Sequence, residues 1–385
     1  MHESGPVQML LRICTISLVL ATLSAAGDPS PLITKSDRPP NLETPVEMLD
    51  KDGVLTKNEH FFVRYHLANI PTVDAKTWRL EIKGDSVAKP ISYSLKDLHS
   101  KFKQYELVAL AYCAGNRRSL AEPHVPGVQW SYGAMGNARW RGVRLRDVLQ
   151  AAGLKNEAVE IVADGADGPV LNSTPDFRKS IPLSKALNED TLIALEMNGR
   201  PLPQDHGFPA RLVVPGWVAT YWVKHLVSLE AVSKPFDGYW MKTAYRVPKG
   251  KFPGDPFPTQ EQPEKSPATS IVVNSLITNV SDGAKVKSGK DLVIRGLAWD
   301  GGSGIQSVEF STDEGKTWKP AALEKDYGKY SWRRFHFTER WSDTGEKQVL
   351  TRATNKSGLT QNSEVIANPG GYHHNAIQKL KIVVE

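Results

Sequence analysis

Cysteine is nearly absent from this chain. Cys14 and Cys113 are the only two in 385 residues, so a disulfide framework is excluded and the fold must rest on core burial. Several ligand signatures are missing as well. There is no Walker loop, no G-x-G-x-x-G dinucleotide turn and no H-E-x-x-H metal helix. The lack of C-x-x-C-H excludes a covalently attached c-type haem on this chain. No segment approaches the roughly 18 consecutive apolar residues of a membrane span. Lys and Arg exceed Asp and Glu by 48 to 42, a net charge of +6, but they are scattered rather than clustered. That distribution argues against nucleic acid and leaves small anions or an acidic partner.

Residues 1–26 carry little charge, an apolar stretch from Ile13 to Leu23, and Ser24-Ala25-Ala26 ahead of Gly27. This is the pattern of a secretory leader with small residues at its cleavage site. The expected product is an exported chain with Cys113 as its one thiol. Residues 27–58 are rich in Pro, Asp and Lys without periodicity, and are expected to drape over the surface before a folded part that starts near Glu59. From there to about Arg246, short strand-like runs (Trp78 to Ile82, Val159 to Val162, Arg211 to Val214) alternate with brief helical patterns, clearest at Leu145 to Ala152 and Leu183 to Leu187. The mixture predicts an α+β domain over residues 27–255.

Six prolines lie between Pro248 and Pro267, a composition that resists helix and sheet ladder, and residues 256–269 read as a linker. Residues 270–385 carry only strand signals, at Ile271, Leu292, Val308, Val349 and Leu380, separated by turn clusters such as Asp282-Gly283 and Asp300-Gly301-Gly302. Regular spacing of this kind predicts an immunoglobulin-like β-sandwich, with Trp299, Trp318 and Trp332 as core or hairpin anchors.

Cys113 ends an apolar run and is followed by Ala-Gly-Asn-Arg117-Arg118. Guanidinium groups beside a thiol favour the thiolate, which suits a metal ligand or nucleophile; the alternative is a small buried hydrophobe. Other polar clusters interrupt the first domain at Arg64 and His66, at His206 and Arg211, and at Lys224 and His225. Gathered round one thiol, these groups would form an anion pocket.

Five motifs occur in one order: Phe61-Phe62-Val63-Arg64-Tyr65-His66, Cys113 to Arg118, Ala138 to Val143, Glu196 to Pro203 and Asp205 to Pro209. Together they resemble the molybdenum-containing sulfite oxidase family, most like its bacterial periplasmic sulfite dehydrogenases. The resemblance implies an α+β molybdopterin-binding domain followed by a dimerisation-type sandwich. It also implies molybdenum with one molybdopterin, held by Cys113 as thiolate ligand. Phe62, Arg64, His66, Asp167, His206, Arg211 and Lys224 fall at cofactor-holding positions, with Asp164 the alternative to Asp167. Arg64, Arg118, Trp130 and Tyr245 fall around the sulfite pocket. The implied reaction is sulfite oxidation with electrons leaving singly to an external c-type cytochrome. The implied assembly is a homodimer or a heterodimer with a cytochrome subunit.

The chain departs from the family in two places. Vertebrate members bring a further arginine from the second domain; the stretch Asn368 to Asn375 has none here, so either His373 or His374 replaces part of that charge or the pocket is less positive. The leader carries only Arg12, where a twin-arginine pair is usual for export of a cofactor-loaded protein. The competing readings are a sulfoxide reductase of the same family, a cysteine hydrolase with His206 or His225 as base, and a non-catalytic sandwich adhesin.

Overall fold

The computed structural model describes residues 1–2, 31–171 and 173–385. Apart from its first two residues, the proposed leader with Cys14 lies outside the described residues. The chain separates into units Met1–Ser30 and Pro31–Glu385, and the architecture below is that of the second.

The folded part begins well before Glu59. Strands Ile33–Asp37 and Pro40–Glu43 form a hairpin whose second strand pairs with Val63–Arg64, Asn41 opposite Arg64. The surface drape is corrected by the burial of Glu43, which has no exposed surface. Its carboxylate accepts from Ser131 Oγ at 2.6 Å and the Gly133 N–H at 2.7 Å, and pairs with Lys35 Nζ at 2.6 Å. A buried carboxylate persists only with such a full set of partners.

Two five-stranded sheets carry the first domain. One runs Arg200–Pro201, Leu192–Met197, Met135–Arg144, Gln104–Tyr112, with Arg211–Val213 also paired to Leu192–Met197. The other runs Ile91–Ser94, Arg79–Lys83, Leu226–Val232, Glu160–Gly165, Arg178–Pro182, and its one parallel pairing joins Arg79–Lys83 to Leu226–Val232. The helices are short. Leu145–Ala151 buries Leu145, Val148 and Leu149, the i, i+3, i+4 stripe that makes it amphipathic.

The proline-rich segment is packed rather than free. Arg246–Pro248 pairs antiparallel with Lys265–Pro267. Gln260 is fully buried and donates to Glu160 Oε1 at 2.9 Å and to the Phe236 carbonyl at 2.8 Å. Pro248 and Pro267 sit at strand ends, where a missing N–H costs little, so the expected lack of ladder does not hold.

Beyond it lie two further sheets. One has the order Asn274–Ile277, Asp291–Trp299, Arg333–Arg340, Ala322–Leu323; the other has Ala284–Val286, Gln378–Val384, Gly345–Asn355, Ile305–Ser311, Lys319–Pro320. Their inner faces share one apolar cluster that includes Ile294, Ala298 and Phe335 from the first and Val308, Val349 and Ile382 from the second. Trp318 anchors a hairpin, its indole N–H donating to the Gly315 carbonyl at 3.1 Å. Trp299 and Trp332 do not fill this core; they belong to the cluster of the first domain, where Trp299 meets Tyr112 at 5.8 Å between ring centroids. They seal the junction between the two halves.

Candidate active site

The strand Gln104–Tyr112 pairs with Met135–Arg144 as far as Tyr112 opposite Met135, and the Cys113 N–H still donates to the Ala134 carbonyl at 3.0 Å. The ladder stops there because the chain turns. The Asn116 N–H reaches back to the Cys113 carbonyl at 2.9 Å, and the Arg118 N–H to that of Gly115 at 3.1 Å. Asn116 locks the turn, donating to the Tyr132 carbonyl at 3.0 Å and accepting from the Ala134 N–H at 3.1 Å. The Arg118 guanidinium packs on Gly115; a Cβ there would stand 2.3 Å from a terminal nitrogen and push the guanidinium aside.

Arg117 is left-handed, with φ of 69°, and the two neighbouring arginines diverge from it. Arg117 donates to the carbonyls of Ser275 at 2.7 Å and Ala376 at 3.3 Å, in the second domain. Arg118 donates to the Val128 and Gly370 carbonyls, both at 2.9 Å. Arg118 alone therefore shares a cavity with the thiol.

Cys113 stands where two cavities meet. The first encloses about 720 Å³ of empty space and is lined by Phe62, Arg64, His66, Cys113, Asp167, His206, Arg211, Lys224 and Tyr245, with Phe177 and Asp205 among the others. The second encloses about 490 Å³ and is lined by Arg64, Cys113, Arg118, Trp130 and Tyr245, together with Trp240 and Tyr372. All eight positions expected to hold the cofactor thus share one cavity, and all four expected round the substrate share the other. Asp167, not Asp164, lines the first; Asp164 lies beside Arg178 at 3.7 Å.

The first cavity is short of negative charge. Burial, reinforced by Arg211, drives the Lys224 ammonium well below its usual range against the opposing pull of Asp167 and Asp205. Its Nζ donates to the Asp205 carbonyl at 2.9 Å. Burial lowers Arg211 to about 10; it donates to the His206 and Trp222 carbonyls, both at 3.1 Å. Burial pushes His206 down to about 3, and this neutral ring donates Nε2–H to the Asn58 carbonyl at 3.1 Å. Burial and the Arg64 charge also keep His66 neutral, stacked on Phe177 at 3.7 Å and hydrogen-bonded to the Tyr245 hydroxyl. Asp167 rises to about 6 by burial, so that carboxylate is reluctant to ionise.

His373 and His374 line neither cavity; His373 is buried against Phe252, and burial lowers both rings to about 4, leaving them uncharged. The second domain contributes Tyr372 to the second cavity instead. His225 is held between the Tyr65 hydroxyl at 3.0 Å and the Phe208 carbonyl at 2.8 Å, and it lines neither of the cavities that hold Cys113. Sequence reasoning missed Tyr372 and Phe177. Tyr372 adjoins the two histidines that drew attention as charge carriers, whereas nothing local marks Phe177.

The donor set suits an anionic, partly aromatic group next to one thiolate. The cations Arg64, Arg211 and Lys224 outnumber the carboxylates Asp167 and Asp205, and Phe61, Phe62, Phe177 and Trp222 supply flat walls. Arg211 Nε and Trp130 Nε1 are buried donors with no acceptor among the described residues. Among the described residues no group of three His, Cys, Asp or Glu could hold a metal by itself. Cys113 can offer one soft ligand, and the rest of a metal's shell must come from the group it carries.

Comparison with known proteins gives the same picture. Residues 66–240 match the oxidoreductase molybdopterin binding domain and residues 265–385 the Mo-co oxidoreductase dimerisation domain; these two define a molybdenum oxidoreductase. The chain is 39% identical over 296 residues to mitochondrial sulfite oxidase of Mus musculus, covering 75% of this chain and 53% of that one. With sulfite oxidase of Gallus gallus it is 35% identical over 355 residues, covering 88% and 75%. The crystal structure of the sulfane dehydrogenase SoxCD from Paracoccus pantotrophus superposes with a TM-score of 0.76 at 30% identity, over 91% of this chain and 86% of that one. The protein belongs to the sulfite oxidase family. It spans about half the length of the mammalian relatives it matches. Among the described residues no helix is long and apolar enough to cross a membrane.

Proposed function

We propose that this chain is a periplasmic sulfite dehydrogenase that oxidises sulfite to sulfate and passes electrons singly to an external c-type cytochrome. The observation that carries the reading is the position of Cys113 between a cation-rich cofactor cavity and a small cavity walled by Arg64 and Arg118. Cys113 is the thiolate ligand, and Phe62, Arg64, His66, Asp167, His206, Arg211 and Lys224 hold the pterin and its phosphate. The molybdenum and molybdopterin group, when bound, supplies the two-electron oxidation and the oxygen transfer.

The rest follows from the chain's own residues. Arg64 and Arg118 bind the sulfite oxyanion, and their fixed donors orient it with little reorganisation. Trp130 adds an indole N–H and keeps the wall dry. Tyr245, hydrogen-bonded to neutral His66, holds a hydroxyl at the junction of the two cavities. Overall, sulfite gains one oxygen from water, and two protons and two electrons are released. The two-sheet domain is immunoglobulin-like and pairs two copies or seats a cytochrome subunit.

The test is molybdenum content and activity of protein made in cofactor-competent cells. Stoichiometric molybdenum with sulfite-dependent reduction of cytochrome c is the expected result. Turnover of methionine sulfoxide without sulfite activity would reverse the reading toward a reductase, and absence of molybdenum would end it.

A further inference from the structure

Three features of Tyr372 are unaccounted for by the roles above. Its ring stacks on Tyr245 at 5.2 Å and 17°, and the Arg118 guanidinium carbon lies 5.4 Å from its centroid. Both tyrosines, with Gly370, line two cavities at once: the inner one that holds Cys113, Arg64 and Arg118, and an outer one of about 850 Å³ walled also by Arg246, Glu264, Lys265 and Pro369. The stacked pair is thus the partition between them.

Tyr372 is held firmly in that partition. The Gly370 carbonyl, two residues before it, accepts from Arg118 Nε at 2.9 Å, and the His373 N–H, one residue after it, donates to the Ala114 carbonyl at 2.9 Å. The second-domain loop is therefore stitched to the cysteine loop on both sides of the ring. Asn368 closes the loop internally, accepting from the Tyr372 N–H at 3.0 Å and donating to its carbonyl at 2.9 Å.

We propose that Tyr372 is a specificity-determining residue which limits the inner pocket to compact oxyanions by closing it off from the outer cleft. The inference rests on the inner cavity being the sulfite site. A sulfonate carries the same oxyanion head with a tail in place of the lone pair, and the Tyr245–Tyr372 stack keeps that tail out of the outer cleft. Removing the ring joins the cavities and provides the room. Walls of this kind discriminate through excluded volume, by about ten- to a hundredfold for small apolar groups.

The experiment measures sulfate and benzenesulfonate binding to purified holoenzyme through quenching of tryptophan fluorescence, since Trp130 and Trp240 line the inner cavity. Inhibition of sulfite oxidation by the same two anions is read in parallel. In Tyr372→Ala the affinity for benzenesulfonate relative to sulfate should rise about tenfold or more, while Tyr372→Phe, which keeps the ring, should retain the wild-type ratio. Gly370→Ala gives an independent route should Tyr372→Ala fail to fold, because a Cβ at 370 would lie 2.2 Å from the Tyr372 ring and must displace it; the ratio should rise there too. An unchanged ratio in whichever of these two variants folds, in an enzyme that still oxidises sulfite, overturns the proposal alone. A changed ratio in Tyr372→Phe overturns it as well, since the hydroxyl would then be the discriminating group. Loss of sulfite turnover and of sulfate binding in the wild-type protein would instead strike at the reading of the site.

Discussion

The guanidinium of Arg117 donates to the carbonyl of Ser275 at 2.7 Å across the junction of the two domains, while its neighbour Arg118 turns to the cavity beside Cys113. Arg117 also lies 5.2 Å from the Tyr132 ring and 6.0 Å from that of Trp299. A basic pair that reads as one cluster is divided between a staple across the domain junction and a wall of the cavity beside Cys113. Arg117→Ala removes two hydrogen bonds and opens a cavity, and should cost about 2–4 kcal/mol of stability, read as a lower urea midpoint. Arg118→Lys should cost less stability but raise the KM for sulfite about tenfold or more, because an ammonium cannot reproduce the planar fork. Equal effects of the two substitutions on midpoint and KM would contradict this division.

Cys113→Ser exchanges a small buried side chain for a near-isostere. The loss of stability should be about 1 kcal/mol or less, since the turn is held by Asn116 and the backbone. Molybdenum content and sulfite oxidation should both fall to background, because a serine hydroxyl is a poor soft-metal ligand. A serine variant that keeps full metal content would remove Cys113 from its proposed role.

What was legible in the sequence was contiguous. The Cys113 to Arg118 turn and the Asp205 to Pro209 turn each carry their chemistry within a few residues, and the strands and helices that present them have clear periodicity. What was not legible depends on partners far away in the chain. Glu43 looks like surface until Ser131 and Gly133, 88 and 90 residues on, satisfy its carboxylate. Trp299 looks like a sandwich core residue until Tyr112 of the other domain covers it. Tyr372 reaches the cavity beside Cys113 on a loop that Arg118 and Ala114 pin, and no local pattern announces such a docking.

Lys224 separates cofactor retention from stability. Its ammonium is held well below its ordinary range by loss of hydration and by the charges of Arg211 and Arg64, so in the proposed role it burdens the fold for the sake of the cofactor's anion. Lys224→Met keeps the bulk and removes the burden. The urea midpoint of cofactor-free protein should be no lower than wild type, while molybdenum retained through gel filtration should drop several-fold. A clear fall in the midpoint, with cofactor retained, would make Lys224 a structural residue.

Stability should fall as the solution is acidified below neutrality. Burial holds His206 at about 3 and His225, His373 and His374 at about 4, against 6.5 for the free side chain. Below pH 6.5 the unfolded chain therefore binds protons that the native chain refuses. Their contribution is fully present above that pH and is lost as pH falls toward 4. Asp164 and Asp167, both raised to about 6 by burial, act in the opposite sense: the native state holds their protons between the unfolded value of 3.8 and 6, which favours folding as pH falls through that window. These four histidines, joined by His66, which burial and the Arg64 charge also lower, outweigh the two aspartates, so the urea midpoint should drop from pH 7 to pH 5. Replacing His373, which contacts neither cavity, by Phe should flatten that slope without changing the KM for sulfite; a slope unchanged in His373→Phe would show that this ring is protonated in the native state.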